Sequence, residues 1–176
     1  MSEILSRDQY SDPPKQEKIN GVLYNMAAGT AKHAEAVSNI FAVLARFFTG
    51  KRCKPFSSEL EVHLDSDNVF RPDVSVVCDF SIMKDNGYYG APSLVAEILS
   101  PSTARRDRAE KYDLYERNGV KEYLLINPEY LSVEQYALID GEFKLQAIYF
   151  RPGTEFKSYA FDDLLFNLDE IFDYRQ

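Results

Sequence analysis

Three residues of this chain put charge where charge is hard to keep. Asp73 opens the run Arg71-Pro72-Asp73-Val74-Ser75-Val76-Val77, and Glu97 interrupts Leu94-Val95-Ala96-Glu97-Ile98-Leu99. Both runs are short, β-rich and bounded by proline or glycine, so they read as buried strands. A carboxylate there costs roughly several kcal/mol unless it is paired or coordinated. Lys111 follows, four residues after Asp107. Two carboxylates and a nearby lysine point to a divalent cation beside a charged substrate.

That chemistry suits phosphodiester hydrolysis. Two carboxylates can hold Mg²⁺, or Mn²⁺, through oxygen ligands at roughly 2.1 Å, leaving positions for water and phosphate. Such an ion lowers the pKa of its bound water and stabilises charge growing on the phosphate. A lysine ammonium beside that water can orient it. Each residue also has a structural alternative. Asp73 could be a strand-end carboxylate satisfied by backbone amides, Glu97 and Lys111 a buried ion pair, and Asp107–Lys111 an intrahelical pair of small value. Three such residues on elements that adjoin in a strand–strand–helix unit favour the functional reading.

The elements that would position them follow from the hydrophobic pattern. Residues 1–16 are polar, contain Pro13-Pro14 and read as a flexible arm; 17–176 read as one domain. A first strand is expected over 19–26, turned at Asn20-Gly21. A helix introduced by Gly29-Thr30 should run to about Phe48, with Val37, Ile40, Phe41, Leu44 and Phe48 on one stripe. His33 falls at the N-terminal end of that stripe, while Glu35 points outward. Strands are expected over 55–64, 72–78, 94–99 and 121–126, with a Gly- and Tyr-bearing loop at 86–90. A helix is expected over 103–118. Its inward arc carries Asp107, Lys111, Leu114 and Tyr115; Arg105 and Arg106 lie on the opposite side. Asp140-Gly141 predicts a C-terminal hairpin between 131–139 and 142–150, and 162–171 should close the domain as one or two short helices. Alternation within 94–99 sets Val95, Glu97 and Leu99 against Leu94, Ala96 and Ile98.

Composition narrows the function classes. The net charge of −8, from 20 basic and 28 acidic residues, argues against strong non-specific nucleic-acid binding by a free monomer. A local basic rim can coexist with that charge, and Lys51-Arg52-x-Lys54 and Arg105-Arg106-x-Arg108 are the available clusters, each read as a solvated face. Two histidines and two cysteines make a zinc site improbable. Cys53 and Cys78 lack redox or metal spacing and are expected to be reduced, in a cytoplasmic protein. No membrane span or signal-peptide core is expected.

The motifs resemble a known group. The Asp73 run, Pro92-Ser93-Leu94-Val95-Ala96-Glu97-Ile98-Leu99-Ser100-Pro101-Ser102-Thr103, Asp107-x-x-x-Lys111-x-x-x-Tyr115 and Gly119-Val120-Lys121-Glu122-Tyr123 are similar to the Uma-two family, within the PD-(D/E)XK, restriction-endonuclease-like superfamily. The resemblance spans about 17–172. It implies an α/β, restriction-endonuclease-like core, a mixed central sheet flanked by helices. It implies Asp73 and Glu97 as metal ligands, and Lys111 as the superfamily lysine moved to the next helix, since the usual position two residues after the acid is Leu99. Asp107 matches a family position with two roles open to it, orienting Lys111 or a metal-bound water. His33 matches the histidine of the family's first helix.

The expected function is therefore a metal-dependent endonuclease acting on nucleic acid, with DNA the expected substrate and a homodimer the expected assembly for cutting a duplex. The Ile98 carbonyl is a third candidate metal ligand. The alternative is a non-catalytic binding or assembly module that keeps the fold and a relic site.

Overall fold

The computed structural model describes residues 14–26 and 28–174; residues 1–13 of the expected arm lie outside them. The central sheet has six strands in the order β12-β11-β10-β9-β6-β3: β3 (Lys54–Ser57), β6 (Val74–Val77), β9 (Leu94–Ile98), β10 (Glu122–Asn127), β11 (Ser132–Ile139) and β12 (Glu142–Tyr149). Only β9 and β10 run parallel; the other pairs are antiparallel, so the sheet is mixed. A parallel neighbour needs a crossover, and helices α2 (Ala104–Arg108) and α3 (Glu110–Arg117) supply it.

Alternation along β9 sorts the core into two layers. Leu94, Ala96 and Ile98 join Leu124 and Ile126 in a cluster with Ile40, Val43, Leu44 and Phe48 of α1 (Ala31–Phe48). Val95 and Leu99 join Tyr123 and Leu125 in a second cluster with Leu114 and Tyr115 of α3. The sheet is thus flanked by a helix on each face, and Glu97 is directed to the α3 side. The hairpin joining β11 to β12 turns at Asp140-Gly141, both with positive φ.

A second six-stranded sheet, in the order β2-β1-β5-β4-β8-β7, is absent from the sequence expectation. It comprises β1 (Gln16–Ile19), β2 (Val22–Asn25), β4 (Val62–His63), β5 (Val69–Phe70), β7 (Met83–Lys84) and β8 (Gly87–Tyr88). Four of its strands, β4, β5, β7 and β8, have only two residues each, too short to display a period. Ile19 and Phe70 carry it into the α3-side cluster. The expected strand over 55–64 divides between the two sheets, with a turn closed by the Leu60 N–H on the Ser57 carbonyl. Near the C-terminus, 165–167 form β14, paired with β13 (Glu155–Lys157), and one short helix follows, α4 (Leu168–Ile171).

The cysteines correct the sequence reading outright: Cys53 and Cys78 form a disulfide. The reason is register. Lys54 pairs with Val77 in the antiparallel β3–β6 ladder, so the next residues outward, Cys53 and Cys78, face each other. Spacing of 25 residues along the chain hid this. Thiol titration of the unfolded, unreduced protein should find no free thiol, and reduction should cost about 3 kcal/mol of stability for a loop of this length.

Candidate active site

The same register logic builds the site. Val74 pairs with Ala96, so Asp73 is the next residue out, opposite Glu97, where the β6–β9 ladder ends. There the side chains complete the ladder. The Asp73 N–H donates to Glu97 Oε2 (3.3 Å), and the Ile98 N–H donates to Asp73 Oδ2 (2.8 Å). Within a strand the N–H and C=O of one residue point the same way, so the Ile98 carbonyl is directed at this gap as well.

Glu97 Oε1 is held from the helix side. Lys111 Nζ lies 3.0 Å away and Tyr115 Oη donates at 2.9 Å, the two residues being one turn apart on α3. Lys111 also meets Glu17 Oε1 at 2.9 Å and Asp107 Oδ1 at 3.5 Å. Glu17, Glu97, Asp107 and Lys111 are each between 2% and 4% exposed. Position 99, two residues beyond Glu97, is filled by Leu99 within the apolar cluster, so the ammonium reaches the acid from the helix.

His33 enters from α1. Thr30 caps that helix, its Oγ1 accepting from the His33 N–H (3.2 Å). The ring places Nε2 3.3 Å from Asp73 Oδ2. The chain passes so close that a Cβ at Gly29 would lie 2.6 Å from His33 Nδ1. All five expected site side chains (Asp73, Glu97, Lys111, Asp107 and His33) line one pocket of about 330 Å³.

Electrostatics are dominated by an excess of acid. Burial pushes the Glu97 carboxyl well above the ordinary range; Lys111 pulls it back, while Asp73, Asp107 and Glu17 push it up again. Burial likewise raises Asp107. For Lys111, burial works against the ammonium, but Glu97, Glu17 and Asp107 outweigh it and hold the pKa well above normal. The hydrogen bond to Asp73 raises His33 against the opposing effect of burial. The His33 contribution to stability is therefore full below the unfolded value near 6.5 and lost as pH rises through the higher folded value. In chelator, wild type should lose stability across that window, and His33→Gln should lack this loss; thermal unfolding against pH reads the difference.

Among the described residues, no three or more His, Cys, Asp or Glu side chains form a metal cage.

The sequence profile of the Uma2 family, described as “Putative restriction endonuclease”, matches residues 3–165. The chain belongs to the Uma2 family. Relatives include Uncharacterized protein slr1290 of Synechocystis sp., 32% identical over 69% of this chain and 65% of its own length. Uncharacterized protein sll1609 of the same organism is 30% identical over 77% of this chain and 78% of its own. The chain thus spans just under two thirds of the first of these relatives. A crystal structure from Anabaena variabilis, titled a putative nuclease belonging to DUF820, superposes with a TM-score of 0.75 over 93% of both chains at 22% identity, which establishes the shared fold.

Two participants escaped the sequence reading. Glu17 sits in β1, where the alternation of buried Glu17 and Ile19 was the available signal; starting the strand at Ile19 discarded it. Its carboxylate is fixed by the Arg71 N–H (3.1 Å) before it meets Lys111. Arg106, expected on the outer arc of a single helix, instead lines the pocket. The helix breaks at Ala109 (φ −124°, ψ −87°), so α2 and α3 present different faces.

Proposed function

We propose that this protein is a metal-dependent endonuclease-like phosphodiesterase that hydrolyses nucleic acid, with DNA as substrate. One observation carries the reading: three carboxylates, Glu17, Glu97 and Asp107, share the one ammonium of Lys111, and a fourth, Asp73, sits opposite Glu97 at the strand end, all lining one pocket open to the surface. A structural ion pair balances its charges. Around Lys111 three acids share one ammonium, and a divalent cation would supply the positive charge missing there.

The donor set fits a hard ion. Asp73, Glu97 and the Ile98 carbonyl offer only oxygen and would hold Mg²⁺ or Mn²⁺, with room for water and phosphate beside them. When bound, such an ion supplies an activated water at neutral pH and offsets phosphate charge. The chain's own groups do the rest. His33 and the Ile98 N–H hold the Asp73 carboxylate in place. Lys111, kept protonated by its three acids, cannot act as a base; it donates to the attacking water or to a phosphate oxygen. Asp107 Oδ1, buried and without a hydrogen-bond partner among the described residues, is positioned to accept from a water.

Calorimetric titration with Mn²⁺ tests the reading. Wild type should bind, more tightly as pH rises, because burial raises the Glu97 pKa and protons then compete with the ion. Glu97→Gln should weaken binding by at least roughly tenfold, the minimum that even an outer-shell substitution costs. A relic site need not hold the ion at all, and equal affinity in the variant would sink the assignment.

A further inference from the structure

The cations that line the pocket differ in what holds them. Lys111 is engaged by Glu17, Glu97 and Asp107. Arg71 is engaged by Glu61 at 2.7 Å and by the Glu59 carbonyl. Arg106 has neither kind of partner. Among the described residues, no carboxylate or carbonyl meets its guanidinium, which lies instead over the ring of Tyr24, 3.9 Å from its centroid. Tyr24 belongs to β2 of the small sheet and Arg106 to α2, so the contact bridges the two elements at the pocket.

A ring this close holds a guanidinium for about 1 kcal/mol without engaging its N–H donors with a carboxylate or carbonyl. Those donors form the fork that fits a phosphate through two parallel hydrogen bonds. A pocket with four acids repels a polyanion, and beyond the ion and Lys111 at the reacting phosphate, the strand needs a cation with charge to spare. Arg106 is such a cation. Resting on the nuclease reading above, we propose that Arg106, held over Tyr24, is the clamp for a backbone phosphate of the nucleic acid at the pocket. Tyr24 is a positioning residue for it. Such a contact orients the strand without reading its sequence.

The test uses the full chain carrying Asp73→Asn, to prevent cleavage, with short fluorescein-labelled DNA as a single strand and as a duplex. Anisotropy gives Kd across a salt series. Arg106→Gln should raise Kd about tenfold and lower the salt slope by about one, equally for unrelated sequences. Arg106→Lys should restore the slope but only part of the affinity, because the ammonium lacks the fork. Tyr24→Phe should bind as the parent does, whereas Tyr24→Leu should lose several-fold in Kd with its salt slope unchanged. Arg105→Gln, an exposed neighbour, should change little. If Arg106→Gln matches Arg105→Gln in both Kd and slope while the parent binds DNA, the clamp is wrong and the nuclease reading stands. Titration with inorganic phosphate separates the opposite case. A parent that ignores DNA but binds phosphate through Arg106 keeps the clamp and overturns the nucleic-acid substrate. A parent that binds neither overturns both.

Discussion

Replacing Lys111 with Met should slow cleavage by roughly 100-fold or more, about 3 kcal/mol of transition-state stabilisation, comparable to losing one oxyanion donor. The same change should cost the folded protein about 3–5 kcal/mol at neutral pH, because it leaves buried acids without their counter-charge. These are Glu17, Glu97 and Asp107, all within 3.5 Å of the ammonium. The pH dependence separates the two effects. Glu97 and Asp107 already have raised folded pKa values, and loss of Lys111 raises them further. A carboxyl whose folded pKa is raised favours the fold below its unfolded pKa and loses that contribution as pH climbs through the folded value. The stability deficit of Lys111→Met should therefore shrink in mild acid and widen in mild alkali, while the cleavage defect of the folded fraction persists throughout. Thermal unfolding and single-turnover cleavage across that range check both. Full activity in the folded variant would reduce Lys111 to a counter-ion.

Much of the main sheet was legible in the sequence because β9 and β10 are continuous β-rich runs and β11 alternates over eight residues. The split between the α1-side and α3-side clusters follows from the two-residue repeat of side-chain direction along β9. Strands of two residues, such as Val62–His63 and Val69–Phe70, carry no period at all. The sheet they complete was not legible as a sheet; its β2 strand with Tyr24 falls within the strand expected over 19–26, but β1 with Glu17 begins before it. The Ala109 break was hidden for a different reason. Ala is the best helix former, so nothing in Arg105-Arg106-Asp107-Arg108-Ala109-Glu110 signals an interruption. A continuous helix wheel sends Arg106 to solvent; the broken one brings it to the pocket.

Burial alone does not mark the site, and Glu122 shows why. It is fully buried in β10, yet its carboxylate accepts from Gln135 Nε2 (2.7 Å), the Ser158 hydroxyl and the Ala160 N–H (3.1 Å). Neutral donors satisfy it, and it lies away from the pocket residues. Glu97 differs in its company: three further acids share its lysine or its strand end. The disulfide was beyond the sequence for a related reason. Pairing of Cys53 with Cys78 depends on the β3–β6 register, which spacing does not encode.

Asp73 is the residue on which the site converges, since its carboxylate meets His33 and the Ile98 N–H at the end of the β6–β9 ladder. Asn at that position keeps one acceptor for the Ile98 N–H and removes the charge, so the fold should survive. The activity should not, because a neutral amide is a poor ligand for a hard cation. The decisive measurement is cleavage of a panel of single- and double-stranded DNA and RNA with Mg²⁺ or Mn²⁺, in wild type and Asp73→Asn. Wild type should cut DNA, stop on chelation and resume when the ion is restored, and folded Asp73→Asn should fall by at least roughly 100-fold, on the scale of one lost electrostatic contact in the transition state. Cleavage that survives chelation, or an Asp73→Asn protein that cuts at the wild-type rate, would contradict the account.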